Sequence, residues 1–186
     1  PHVSWPFLSS APHESGKTGG VFPIIVGTLE VTLLGVATAT PLGVGTAVYL
    51  AEYTRDTPLT RLIRFGSDCL AGVPSIIFGL FGFVLFVTTL RLGWSILAGA
   101  LTLALMTLPT IIRTSEEAIK AVSHSYREVA LSLGATQWQT IWFVVLPAAA
   151  PGILTGIILS LGRAIGETAA LIFTAGSSLP SASPRS

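Results

Sequence analysis

A run of about 20 mostly apolar residues has few fates, because a helix of that length crosses the hydrocarbon of a bilayer and satisfies its own backbone there. This chain of 186 residues carries four such runs. They are "IIVGTLEVTLLGVATATPLGVGTAVYL" at 24–50, "CLAGVPSIIFGLFGFVLFVTTL" at 69–90, "WSILAGALTLALMTLPTII" at 94–112 and "GILTGIILSLGRAIGETAALIFTA" at 152–175. All are too long and too uniformly apolar for strands, so the expected class is all-α, a polytopic membrane protein with four spans. Composition agrees: only 10% of residues are charged, against about 25% in soluble domains. The expected layout is an extracytoplasmic segment at 1–23, a transmembrane domain at 24–176 and a polar tail at 177–186.

Several functions are excluded at this level. A net charge of +1 argues against nucleic acid, whose phosphates need clustered Lys and Arg. Cys69 stands alone, and His2, His13 and His124 make no metal-ligand spacing, so neither a disulfide within the chain nor a metal is expected. The stretch "APHESGKTGG" at 11–20 approximates a phosphate-binding loop. It lacks an apolar strand before it, and Gly19, Gly20, Pro23 and a membrane span follow it. We read it as a decoy in a polar loop. The first residue is Pro1, with neither an initiator Met nor a signal-like start, so the chain is expected to begin partway through a longer protein.

Charge sets the expected orientation. Arg55, Arg61 and Arg64 follow the first run, and Arg113, Lys120 and Arg127 follow the third. The opposite side holds Lys17, Arg91 and Arg185. The positive-inside rule places 51–68 and 113–147 in the cytoplasm.

The second of these segments is the most structured polar piece. Ser125 and Glu128 are spaced as a capping box, and Val122, Tyr126, Val129 and Leu133 fall on one helical face. Gly134 can end that helix in the left-handed conformation. Thr136 and Gln139 form a second capping box, Trp138, Ile141, Trp142 and Val145 the next apolar face, and Pro147 the expected stop. Two helices about a glycine, with Arg127 as their only base, fit a knob for a partner protein better than a basic helix resting on lipid.

The run "EVALSLGATQWQTIWFVVLP" resembles the EAA loop of ABC-importer permeases at Glu128, Ala130, Gly134, Val144, Leu146 and Pro147, with Val129 where the pattern has a second Ala. "LAGVPSIIFGLFG", "GTLEVTLLG", "YLAEYTR" and "LPAAAPGILTGIILSLGRAIGETAALIFTAG" are similar to the A-type permeases of phosphate importers. The resemblance covers about 19–176. It implies a type I ABC-importer permease fold in a bacterial inner membrane, with four of six spans present here. It also implies that the loop is a coupling helix seated on a cytoplasmic ATPase dimer. Further implied partners are a second permease subunit and an extracytoplasmic phosphate-binding protein. ATP would be bound by the partner, and the chain itself would be no enzyme and hold no cofactor.

Arg163 lies inside the fourth run, where an ionised side chain costs about 2.5–3.5 kcal/mol on insertion scales. Glu167 is four residues on, the spacing of a helical pair. The two either fix helix packing or line an anion route, Arg163 meeting phosphate oxygens and Glu167 holding it. Gly152, Gly156 and Ser160, and separately Gly162 and Gly166, form small-residue ladders for close helix packing. Glu30 reads as a carboxylate reaching water near the outer interface, and Pro41, Pro74 and Pro109 as kinks. The function expected is thus the membrane subunit of an ATP-driven phosphate importer. The alternatives are an importer of sulfate or molybdate, a membrane-linked NTPase using 11–18, and a membrane scaffold.

Overall fold

The computed structural model describes residues 12–13, 18–19, 22–54, 57–167 and 171. Two short strands, β1 (Pro12–His13) and β2 (Thr18–Gly19), pair antiparallel with His13 opposite Thr18. A phosphate-binding loop would need Thr18 to open a helix, and here it sits in a strand. Lys17 lies outside the described residues.

The rest is helical. α1 (Phe22–Val48) runs on through a π-helical turn, Tyr49–Tyr53. α2 (Pro58–Ala71) starts at Thr57, whose hydroxyl accepts from the Thr60 amide. α3 (Ser75–Gly82) widens into a second π-helical stretch, Phe83–Thr89. α4 (Ile96–Ala121) is capped by Ser95, which accepts from the Ala98 amide. α5 (His124–Ser132) and α6 (Gln137–Thr140) form the polar knob, and α6 passes through the π-helical turn Ile141–Val145 into α7 (Leu146–Ile165).

Three continuous helices among the described residues are long and apolar enough to cross a membrane: Ile25–Tyr53, Ile96–Ala121 and Gln137–Ile165. The fourth candidate is a bent pair, Pro58–Ala71 and Ser75–Thr89, turning by 102° at Pro74. At about 1.5 Å per residue the second limb reaches roughly 22 Å, short of a bilayer's hydrocarbon. The expected run at 69–90 therefore begins with the end of another helix, hidden in the sequence by Arg61, Arg64 and Asp68. That helix is amphipathic: Leu59, Leu62, Phe65 and Leu70 are exposed, while Arg64 and Asp68 turn to the protein. The other two boundaries also move. α4 extends nine residues past 112 on a charged tail, and α7 begins before 152 because it is continuous with the knob.

α4 lies at the centre, packed along α1 and α7 and against α2 and α3. One cluster joins Val31, Val36, Phe78, Leu103, Met106 and Ala164; another, towards the knob, joins Ala47, Ile119, Val145, Ala149 and Ile153. In lipid, close approach replaces the hydrophobic drive between helices. A Cβ at Gly35 would stand 2.9 Å from the Ala100 carbonyl oxygen, and one at Gly152 2.6 Å from the Ala118 Cβ. Gly156 faces Thr114 in the same way, so this ladder packs α7 on α4. The ladder of Gly162 and Gly166 meets no neighbouring helix among the described residues.

Candidate functional site

The knob is built from local rules that hold it rigid. Its first cap is Ser123, whose hydroxyl accepts from the Ser125 amide, and not the expected Ser125. The chain turns two residues earlier because α4 already ends at Ala121, with Val122 extended. At the other end the Ala135 amide donates to the Ala130 carbonyl and the Gly134 amide to that of Leu131. These are the two bonds of a Schellman motif, and Gly134 takes φ +84° to make them. A β-carbon there costs about 1–2 kcal/mol. The second capping box forms as expected: the Gln139 amide donates to the Thr136 hydroxyl, and the Thr136 amide to the Gln139 side chain at 2.9 Å.

The apolar face of α5 points away from the bundle. Tyr126, Val129 and Leu133 are exposed, Leu133 at 83%, and the Glu128 carboxylate on this helix has no partner among the described residues. Ala130 is buried and turns inward with Arg127. The expected apolar face of the second helix splits: Ile141 and Val145 are buried, whereas Trp138 and Trp142 meet edge to face in the open, ring centres 5.5 Å apart. Pro147 does not stop this helix. The π-helical turn before it, in which the Leu146 amide reaches the Ile141 carbonyl, accommodates the missing donor, and Val144 and Leu146 lie half-buried within one helix.

Ion pairs gather the two basic segments at one end of the bundle. Arg113 pairs with Glu117, and Lys120 with Glu116 at 2.6 Å, as their spacing predicts. Glu116 also receives Arg64, at 2.8 Å, and Asp68 receives Arg113, at 2.6 Å, fastening α2 to α4. Sequence reasoning missed these two long-range pairs and a third. Arg127 meets Glu52 at 2.6 Å, the two side chains 14% and 11% exposed.

The other expected site lies at mid-depth along the bundle, on an open face of α7. The contacts of Gly152 with Ala118 and Gly156 with Thr114 fix an antiparallel register, which brings Arg163 level with Thr107. That is about 16 Å along α4 from Ile96, near half the thickness of the hydrocarbon layer. Ala164, packed with Leu103 and Met106, confirms the level. Arg163 is exposed and makes no hydrogen bond or ion pair among the described residues. The expected helical pair with Glu167 does not form. Gly166 ends α7 in a turn, so Glu167 no longer lies one helical turn above Arg163.

Long apolar helices in close contact, with a capped helical pair projecting at the end where the charges gather, define an integral-membrane helix bundle with a polar knob at one end. A chain of the MetNI methionine ABC transporter, solved in inward-facing conformations, shares the fold, with a TM-score of 0.69 and 21% identity over 78% of this chain and 72% of that one. The chain belongs to the family of binding-protein-dependent transport system inner membrane components, whose model matches residues 39–185. Among its relatives is the probable ABC transporter permease protein YqgI of Bacillus subtilis, 36% identical over 96% of this chain and 60% of that protein. The phosphate transport system permease protein PstA of Haemophilus influenzae is 40% identical over 91% and 59%, respectively. PstA 1 of Mycobacterium tuberculosis is 43% identical over 85% of this chain and 51% of its own length. The chain thus spans between about half and three-fifths of the curated relatives it matches.

Proposed function

We propose that this chain is permease sequence of an ATP-driven importer for inorganic phosphate in a bacterial cytoplasmic membrane. The observation that carries the coupling half of this reading is the knob: a helix closed at Gly134, its unpartnered apolar face turned outward on the charged end of the bundle. Such a face fits a groove on a soluble partner. Residues 123–147 then receive motion from a cytoplasmic ATPase dimer, with Glu128, Ala130, Gly134, Val144, Leu146 and Pro147 shaping the contact. ATP is bound and hydrolysed by that partner, and this chain carries no cofactor. A second permease subunit completes the path, and an extracytoplasmic binding protein delivers the anion.

Phosphate as substrate rests on the relatives that are phosphate permeases and on Arg163. An unpaired guanidinium at mid-depth is costly, and an oxyanion passing it would offset that cost for as long as it stays. The site must also release its ion, so one arginine presented from one side suits passage better than a closed cage. Glu167, just past the end of α7, would steady or bias that site from outside the helix.

The test is uptake of radiolabelled phosphate, and separately of labelled sulfate and molybdate, into proteoliposomes holding the full-length permease with its partners. Unlabelled phosphate, sulfate and molybdate serve as competitors of phosphate uptake. Competition by phosphate alone is expected. Transport of sulfate or molybdate in its place would overturn the substrate, and nucleotide binding by this chain alone would revive the NTPase alternative.

A further inference from the structure

The Arg127–Glu52 pair is placed where it can do more than stabilise. The Arg127 Nε donates to both Glu52 carboxylate oxygens, at 3.1 and 3.3 Å, and Nη2 donates to Oε1 at 2.6 Å. The same guanidinium turns its remaining donors to the end of α4: Nη2 to the Ile119 carbonyl at 3.0 Å and Nη1 to the Val122 carbonyl at 2.7 Å. Both carbonyls belong to the last turn of α4, where the Ile119 oxygen also accepts from the Val122 amide at 3.3 Å, and a cation there meets the negative end of the helix dipole. Glu52 in turn lies on the π-helical turn that closes α1, and its backbone carbonyl accepts from the Gln137 side chain at the start of α6. One buried pair therefore touches the ends of α1 and α4 and both helices of the knob.

We infer that Arg127 and Glu52 form the clasp through which movement of the knob is passed to α1 and α4. The inference rests on the coupling role proposed for residues 123–147 and names the residues that transmit it. α5 shows its apolar face to a partner and its Arg127 face to the bundle. A push or pull on the outer face cannot displace α5 without dragging the α1 end by the carboxylate and the α4 end by its carbonyls. The chemistry calls for arginine in particular. Its planar fork has five donors and serves a carboxylate and two carbonyls at once, which a lysine ammonium on a flexible stem cannot do in that geometry. Arg127 and Glu52 are positioning residues: they touch neither nucleotide nor transported anion.

The experiment measures phosphate moved per ATP hydrolysed in the reconstituted importer, with Arg127→Lys, Glu52→Gln and Gly134→Asp compared, and co-purifying ATPase recorded for each. A role confined to stability would lower the amount of assembled importer and leave this ratio alone. We expect Glu52→Gln to lower the ratio about tenfold with the ATPase still bound, the scale of a typical coupling between sites. Arg127→Lys keeps the charge, and with it the fold, and should lower the ratio about fivefold. If both variants stay within about twofold of the unsubstituted importer while Gly134→Asp uncouples, the clasp is overturned and the coupling reading stands. If Gly134→Asp also leaves the ratio unchanged, the coupling reading itself fails and takes this inference with it.

Discussion

Arg127 and Arg163 are the same side chain under opposite conditions. Arg127 lies mostly buried, and its donors are spent within the chain on a carboxylate and on helix-end carbonyls. Arg163 lies at membrane depth, exposed, with no partner among the described residues. An arginine whose bonds are all made inside its own chain is a joint, and its removal is felt as lost geometry. An arginine left open in an apolar setting calls for something that the described residues do not supply, whether a passing anion or another subunit. Under the proposed function, the contrast separates an end that would transmit force from a middle that would meet the cargo.

The strongest way to break this contrast is to remove the open arginine. Arg163→Gln should abolish phosphate uptake while the complex still assembles, because the packed face of α7 remains: Gly152, Gly156, Ser160 and Ala164 are untouched. Normal uptake by that variant would make Arg163 a packing residue. Gly134→Asp should uncouple uptake at the other end, with membrane insertion retained. The strain of about 1–2 kcal/mol falls on the Schellman turn alone. Uptake that survives both this change and deletion of 125–142 would remove coupling from the knob.

Smaller effects sharpen the picture. Gly156→Leu drives a side chain into Thr114 and should destabilise the α4–α7 contact by about 1–3 kcal/mol, read as a lower unfolding temperature in detergent. An unchanged melting curve would mean that the two helices are less closely packed than described. Thr136→Ala removes half of the capping box and should cost about 1 kcal/mol, seen as faster proteolysis between α5 and α6 with uptake only slightly reduced. Severe loss of transport in that variant would show that the cap, rather than the clasp, sets the geometry of the knob.

The sequence showed much of this because the strongest signals in it are local. Apolar runs gave the long helices, and Gly134 and the Thr136–Gln139 box gave the closure of the knob. The boundaries slipped where charge interrupts hydropathy: α2 carries Arg61, Arg64 and Asp68 on one side, and the last turns of α4 carry Arg113, Glu116, Glu117 and Lys120. The Arg163–Glu167 pair failed because spacing presumes an unbroken helix, and Gly166 ends it. The Arg127–Glu52 pair was illegible for another reason. Seventy-five residues separate its members, and no periodicity reports a contact of that kind.

The central claim is that the outward face of α5 is where the ATPase grips. It can be tested by attaching a photoreactive benzophenone at Leu133→Cys in a Cys69→Ser background, within the assembled importer. Illumination should join this permease to the ATPase subunit, whereas the same probe at Leu159→Cys, exposed on the membrane-buried part of α7, should not reach it. A transport-competent complex in which the Leu133 probe labels only lipid or the second permease would contradict the account.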